Sequence, residues 1–217
     1  MMAQLRVPPG RTGRLWLRDR LALADRGVSL LERKLRILLA TQQRLAIQLE
    51  DARHDWTRCA AEARRWALRA GLAGGRRSFR LASGAPTAQV RFGWTVVMGV
   101  RYPDRAECDL PGSDRAAVVV GNAAVVHARA AHRRAVQAGA QYAAALAAVR
   151  TVDQEVDTTR ARARALRRHW IPRLRAELTR TELALEEAER ADAIRLRWAS
   201  GTGGGSGRID RQDPGRR

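Results

Sequence analysis

RLWLRDRLALADRGVSLLERKLRILLATQQRLAIQLEDARHDWTRCAAEARRWALRA, residues 14–70, decides the fold. Counted in heptads from Arg14, one core position falls on Leu21, Val28, Leu35, Gln42, Leu49, Trp56, Ala63 and Ala70. The other falls on Leu17, Ala24, Leu31, Leu38, Leu45, Ala52, Cys59 and Trp66. Apolar side chains thus recur at alternating steps of three and four, the period that keeps one helix seam against a partner in a left-handed supercoil. No proline interrupts the run, and Gly27 costs the helix only about 1 kcal/mol against alanine. At about 1.5 Å per residue the helix spans on the order of 85 Å, more than a globular domain of this size can bury. A second helix must lie alongside it.

A matching seam occurs near the other end. It runs through Val149, Val152, Val156, Thr159, Ala163, Leu166 and Trp170, then Leu174, Leu178, Thr181, Leu185 and Ala188. The steps from Leu166 to Trp170, Leu174 and Leu178 slip the seam by one position beside Pro172, where the missing N–H predicts a kink or local unwinding. Between the seams, QVRFGWTVVMGVRYP is the β-rich run. Val90, Phe92, Trp94 and Val96 share a face, and Gly99 offers a turn, so a short hairpin is expected, ended by Pro103 and DLPGSD.

The expected organisation is an extended arm over residues 1–13, a coiled-coil helix over 14–70, and a loop with the hairpin over 71–112. An alanine-rich helical segment follows over 113–148, then a C-terminal coiled-coil helix over 149–198 and a disordered tail over 199–217. Gly71, Gly74 and Gly75 stop the first helix. Residues 76–88 read as a loop, Ser113 or Asp114 caps the next helix, and Gly121 and Gly139 can bend it. The alanine-rich segment is expected to pack near Trp66. The fold class is mainly α: an antiparallel two-helix coiled coil with a short helical and β-hairpin insert. Equal seams would put Leu17 near Leu196 and Trp66 near residues 143–148, with both termini at one tip and the insert at the other.

Among 217 residues, 41 are basic and 22 acidic, a net charge of +19, and Lys34 is the one lysine. GC-rich coding can account for arginine over lysine, but not for the excess of plus over minus. That excess suits nucleic acid, an acidic protein sleeve or a membrane surface. Residues 160–175 hold seven arginines and no acid, and from Arg6 to Arg36 nine basic residues face three acids. Cys59 and Cys108 make neither a disulfide framework nor a metal site. The first residues lack a signal peptide's apolar core, and no run reaches the ~18 apolar residues of a membrane span, so a soluble intracellular chain is expected.

Catalytic chemistry is not evident. His54, His127, His132 and His169 lack ligand spacing. GLAGGRR lacks the closing Gly-Lys-Ser/Thr of a phosphate loop, and GTGGGSG lies in the tail. Glu182, Glu186, Glu187 and Glu189 read as a solvated face. The expectation is no catalytic residue, no cofactor and no metal. Nor is there a nucleic-acid-binding module or aromatic platform, since Trp56, Trp66 and Trp170 fall on the seams.

Three separated stretches carry a family resemblance. RLALADRGVSLLERK, with Pro9-Gly10-Arg11 upstream, resembles the N-terminal signature of the D-type subunits of V/A-type rotary ATPases. WTVVMGVRYP resembles that family's central motif, and TTRARARALRRHWIPRLRAELTRTELALEEAERADAIRLR its C-terminal helix, with Ile171-Pro172 and Arg190, Asp192, Arg195 and Leu196. The chain departs from the family pattern at Gly10, at Lys34 to Arg36 and at Ile194.

The resemblance implies a non-catalytic central-stalk shaft that transmits torque between a catalytic hexamer and a membrane rotor ring, during ATP synthesis or proton- or sodium-driven transport. The implied partners are the A/B-type hexamer subunits, a small F-type stalk subunit and a funnel-shaped rotor adaptor, with no nucleic acid. The implied location is the cytoplasmic face of the plasma membrane, peripheral through the complex. Arg11, Arg14, Arg18, Leu21, Ile194, Arg195 and Arg197 would face the hexamer, and Trp94, Met98, Gly99 and Val100 would make membrane-side or hairpin contacts. The rival reading is a free-standing arginine-rich coiled-coil scaffold or nucleic-acid binder. A γ-type shaft is a third, but the insert is too short for a full α/β domain. Leu38→Asp, at a seam position, should destabilise the fold by roughly 3 kcal/mol or more by burying an unpaired charge. Thermal melting checks this, and an unchanged midpoint would put Leu38 in water.

Overall fold

The computed structural model describes residues 6–82, 87–110 and 123–202. Helix α1 runs from Gly10 to Ala82, strands β1 (Gln89–Val97) and β2 (Val100–Asp109) form an antiparallel hairpin, and α2 covers Ala123–Ala165. A π-helical turn over Leu166–Trp170 leads directly into α3, Ile171–Thr202. Two compact units divide the chain, one of residues 1–29 with 164–217 and one of residues 30–163.

The helices exceed their expected bounds. Gly10 already belongs to α1, and Val7 and Pro8 fold back against its first turn. A Cβ on Gly13 would stand 2.0 Å from the Pro8 carbonyl oxygen, so only glycine admits that crossing. At the far end α1 passes Gly71 and Gly74 and continues to Ala82, interrupted by the non-helical Gly75 at φ 62° and ψ −170°. The glycines therefore break the helix without ending it, and residues 76–82 are helical instead of loop. α2 begins at Ala123; Ser113, Asp114 and Gly121 lie outside the described residues, as does the tail from 203. Gly139 sits inside α2 as a packing position, where a Cβ would meet the Trp56 ring at 3.2 Å.

In the unit of residues 30–163, α1 and α2 run antiparallel. Leu38, Leu45, Ala148, Val152 and Val156 bury their side chains together, and Val100 and Tyr102 of the hairpin close over them. Farther along, Ala70 packs with Val125 and Ala128, and Trp66 lies beside them. The alanine-rich segment thus does reach Trp66, through residues 124–128 and not 143–148. In the other unit, Leu17, Ala24 and Val28 pack against Ile171 and Leu174, with Val7, Trp16, Leu21, Leu166 and Leu178 at the edges. Leu17 is therefore matched with residues 171–178 and not with Leu196. In both units the two strands of the coil are staggered relative to the equal-seam expectation.

The heptads of α1 hold well. Leu17 and Leu38 are fully buried, and Val28, Leu45, Ala63 and Ala70 nearly so. Leu31, Leu35, Leu49 and Trp66 are half-buried. Trp56 is more open, at 38% exposure, and it stacks face to face on Tyr142 at 5.2 Å.

The seam beside Pro172 differs from expectation in an informative way. Trp170 is 40% exposed, whereas Ile171 is 6% exposed and Leu174 is fully buried. Proline has no N–H, and its ring crowds the carbonyl four residues back, that of Arg168. The chain responds with one π-helical turn, in which the Ile171 N–H donates to the Leu166 carbonyl five residues earlier. One extra residue is accommodated, and the seam passes from Leu166 to Ile171, Leu174 and Leu178. Leu185 continues it, half-buried.

The hairpin pairs Gln89 with Asp109 through to Val97 with Val100, with an irregularity between Gly93 and Trp94. Pro103 does not end β2. It pairs with Trp94 at that irregularity, where a missing ladder N–H is tolerated. Replacing Ile171 by alanine should cost about 2–4 kcal/mol, while Trp170→Ala should cost under about 1.5 kcal/mol. Chemical denaturation of the two variants checks this, and the reverse order would restore Trp170 to the seam.

Candidate functional site

The seam carries polar pairs that its apolar pattern does not reveal. Lys34 Nζ donates to Glu155 at 2.6 Å, and Gln42 Nε2 donates to Asp153 Oδ1 at 2.7 Å. Both bonds are partly buried and link α1 to α2. The ammonium of Lys34 holds the Glu155 carboxyl below the usual 4.5, against the opposing effect of burial, and Lys34 and Arg162 add attraction. Thr159, almost completely buried, contributes a longer hydroxyl bond to the same carboxylate at 3.5 Å.

The hairpin is fixed to the helices by two further bonds. Arg44 donates to the Tyr102 hydroxyl at 3.2 Å. Gln141 of α2 uses both ends of its amide on Ala106, accepting from the N–H at 3.3 Å and donating to the carbonyl at 2.6 Å. A side-chain amide thereby occupies the edge of β2 that a further strand would otherwise take. Polar residues at these spacings gave no sequence signal, because each bond joins positions far apart in the chain.

Of the hairpin residues singled out, Trp94 is 53% exposed with the Arg101 guanidinium 4.8 Å over its ring. Met98 and Gly99 form the turn at φ 50° and 80°. Val100 is instead a core residue, buried with Leu38 and Tyr102. Trp94, Phe92 and Val96 leave an apolar face open, while Val97 turns inward.

Among the tip residues, Arg11 pairs with Glu189 at 2.9 Å and Arg18 with Glu182 at 2.7 Å. Leu21 lies at the edge of the local core, and the Arg14 Nε is buried without a hydrogen-bond partner. The stagger places Arg11 opposite Glu189, so the later turns of α3 run past the start of α1. Ile194, Leu196 and Trp198 there are 53, 71 and 74% exposed. Arg195 bonds Asp192 one turn back at 2.8 Å, and Arg197 is exposed. Arg11 and Arg18 on α1 are thus tied to α3 by ion pairs, while Ile194, Arg195 and Arg197 lie on the overhanging turns of α3.

Trp66 stacks on His127 at 4.4 Å, with the Arg69 guanidinium 4.8 Å above it. The His132 ring nitrogen contacts the Ala128 carbonyl at 2.8 Å within its own helix. Among the described residues no group of three or more His, Cys, Asp or Glu side chains is placed to hold a metal, and no helix is long and apolar enough to cross a membrane.

Paired helices with interhelical polar locks and a clamped hairpin define a coiled-coil structural protein. The chain belongs to the family of ATP synthase D subunits, whose model matches residues 15–201. It is 29% identical over 197 residues to the D subunit of the V-type ATP synthase of Thermotoga neapolitana, covering 88% of this chain and 95% of that protein. As a member of that family it is a central-stalk component of a V/A-type ATPase/ATP synthase.

Glu155→Gln should flatten the acid limb of the stability curve. A carboxyl with a lowered folded pKa stabilises fully above the unfolded value near 4.5 and loses that contribution as pH falls through the folded value. The parent should therefore lose more stability than the variant between about pH 5 and 3. Urea unfolding at several pH values checks this, and parallel curves would mean that Glu155 gains nothing from Lys34.

Proposed function

We propose that this chain is the non-catalytic rotor shaft of its synthase, carrying torque between a catalytic hexamer of A/B-type subunits and a membrane rotor ring. The observation that carries the reading is the interlocked antiparallel pair. Within each unit, α1 and its partner helix bury a continuous seam and are joined across it by Lys34–Glu155, Gln42–Asp153, Arg18–Glu182 and Arg11–Glu189. Twisting one helix about the other must break that packing, so applied torque turns the pair together.

A coil whose sides differ also offers each of three catalytic sites a different face. A site that contacts one face more favourably in one conformation shifts toward that conformation, and rotation moves the preference to the next site. The overhanging turns of α3, with Ile194, Leu196 and Trp198, suit an apolar bearing at the hexamer end. The hairpin, with Trp94 and Met98, suits the contacts nearer the membrane, where a funnel-shaped adaptor and a small F-type stalk component are the expected neighbours. The chain supplies no catalytic group of its own in this reading. It acts at the cytoplasmic face of the plasma membrane, held there by the complex.

Joint replacement of Arg11, Arg14, Arg18, Arg195 and Arg197 by glutamine should lower ion transport per ATP hydrolysed several-fold while leaving the variant folded. Proton or sodium pumping by reconstituted complex, measured alongside ATP hydrolysis, checks this. Unchanged coupling would show that these arginines play no part in transmitting torque.

A further inference from the structure

Much of the positive charge at the expected tip is neutralised within the chain. In the unit containing both termini, most tip arginines are already answered by acids within the chain. Arg11 holds Glu189, Arg18 holds Glu182, Arg190 holds Glu186 and Arg195 holds Asp192. The contrast lies beside the π-helical turn. Arg164, Arg168 and Arg175 are exposed, and among the described residues none of them pairs with a carboxylate. No acid occurs in residues 160–175. The flanking acids along the helix are engaged elsewhere, Asp157 with Arg160 at 3.7 Å and Glu177 with Arg180 at 2.9 Å.

This arrangement opposes the stability of its own helix. Arg164 and Arg168 stand four residues apart, so their like charges repel across one turn. The repulsion falls where Pro172 and the π-helical turn have already disturbed the backbone ladder. No packing need explains these three guanidiniums, since the seam there is made by Leu166, Ile171 and Leu174. Retained π-helical turns recur at functional sites, and an unanswered cationic stripe is a surface awaiting an anion.

We propose that Arg164, Arg168 and Arg175 form a docking surface for a carboxylate-rich segment of another subunit of the same synthase. Arg164 and Arg168 lie about one turn apart, and Arg175 lies about two turns farther along the axis and part-way round it, because the π-helical turn adds a residue between them, so carboxylates of an acidic segment crossing α3 can meet all three. Charge complementarity selects the acidic segment, and membership of a multisubunit synthase selects a polypeptide over nucleic acid. Docking there would also offset the repulsion between Arg164 and Arg168. The inference rests on the shaft reading only in requiring that the chain sit among other subunits.

The test uses purified synthase captured through a tag on this chain. The variant Arg164→Glu/Arg168→Glu/Arg175→Glu should keep its helical circular dichroism yet retain one neighbouring subunit at least about tenfold less well than the parent at moderate salt. A photoreactive benzophenone amino acid in place of Arg168 should give adducts in an Asp- and Glu-rich segment of that same neighbour. Should the triple variant fail to fold, the single Arg168→Glu variant and the crosslink still decide. An unchanged set of subunits at every salt concentration would overturn the proposal, as would adducts only within this chain, in a non-acidic segment or on nucleic acid. Absence of every other synthase component from the captured parent would overturn the shaft reading itself, and this inference with it.

Discussion

A coiled coil can carry a proline only if the backbone yields without moving the seam, and the rest of the shaft depends on how that conflict is settled here. Pro172 removes one donor and crowds one carbonyl. A simple kink would swing α3 away from α1 and open Leu17, Ala24 and Val28 to water. The π-helical turn avoids this by inserting a residue, so that Ile171 enters the core in place of Trp170 and Leu174 remains fully buried. The backbone irregularity is confined to five residues, and the apolar contact on either side of it survives.

Most of α1 was legible because a heptad repeat is a local signal that packing then enforces. Leu17, Val28, Leu38 and Leu45 are core for the reason their spacing gives. The stagger between the helices was not legible, and the cause is physical. A seam of repeating Leu, Val and Ala looks much the same after a slide of one or more heptads, so apolar pattern alone leaves register nearly degenerate. What breaks the degeneracy is specific: Gln42 against Asp153, Lys34 against Glu155, and the Trp56 ring against the bare backbone of Gly139. Each has a poor partner after a shift. Polar seam residues thus select one register from a set that hydrophobic burial would accept.

The hairpin shows the same limit at shorter range. Alternation in QVRFGWTVV revealed a strand, and the turn at Met98-Gly99 follows from adjacent positive φ values that few residues adopt. Pattern pointed to the wrong face, because the apolar side chains of β1 gather at Val90, Phe92, Trp94 and Val96, while Val97 is the one large apolar residue on the other. The core is made through Val97, Val100 and Tyr102, while Phe92, Trp94 and Val96 stay partly in water. Nor could it show that Gln141 closes one edge of the sheet. A two-stranded hairpin is barely stable alone, so its order here derives from Tyr102 in the helical core and from that amide clamp.

Charge and shape then divide the work along the chain. Where helices must stay in register, Arg11 and Arg18 are matched by acids across the coil, and these pairs are exposed enough to add little energy individually. Their value is directional, since each favours one azimuth and one stagger over neighbouring ones. Where no internal acid answers, as at Arg164, Arg168 and Arg175, the same side chain makes no contribution to register, and these are the groups proposed to meet an acidic partner. A shaft that turns inside an assembly needs both kinds of arginine. One kind keeps the two helices moving as a single body, and the other leaves charge on the surface where a neighbouring subunit can bind.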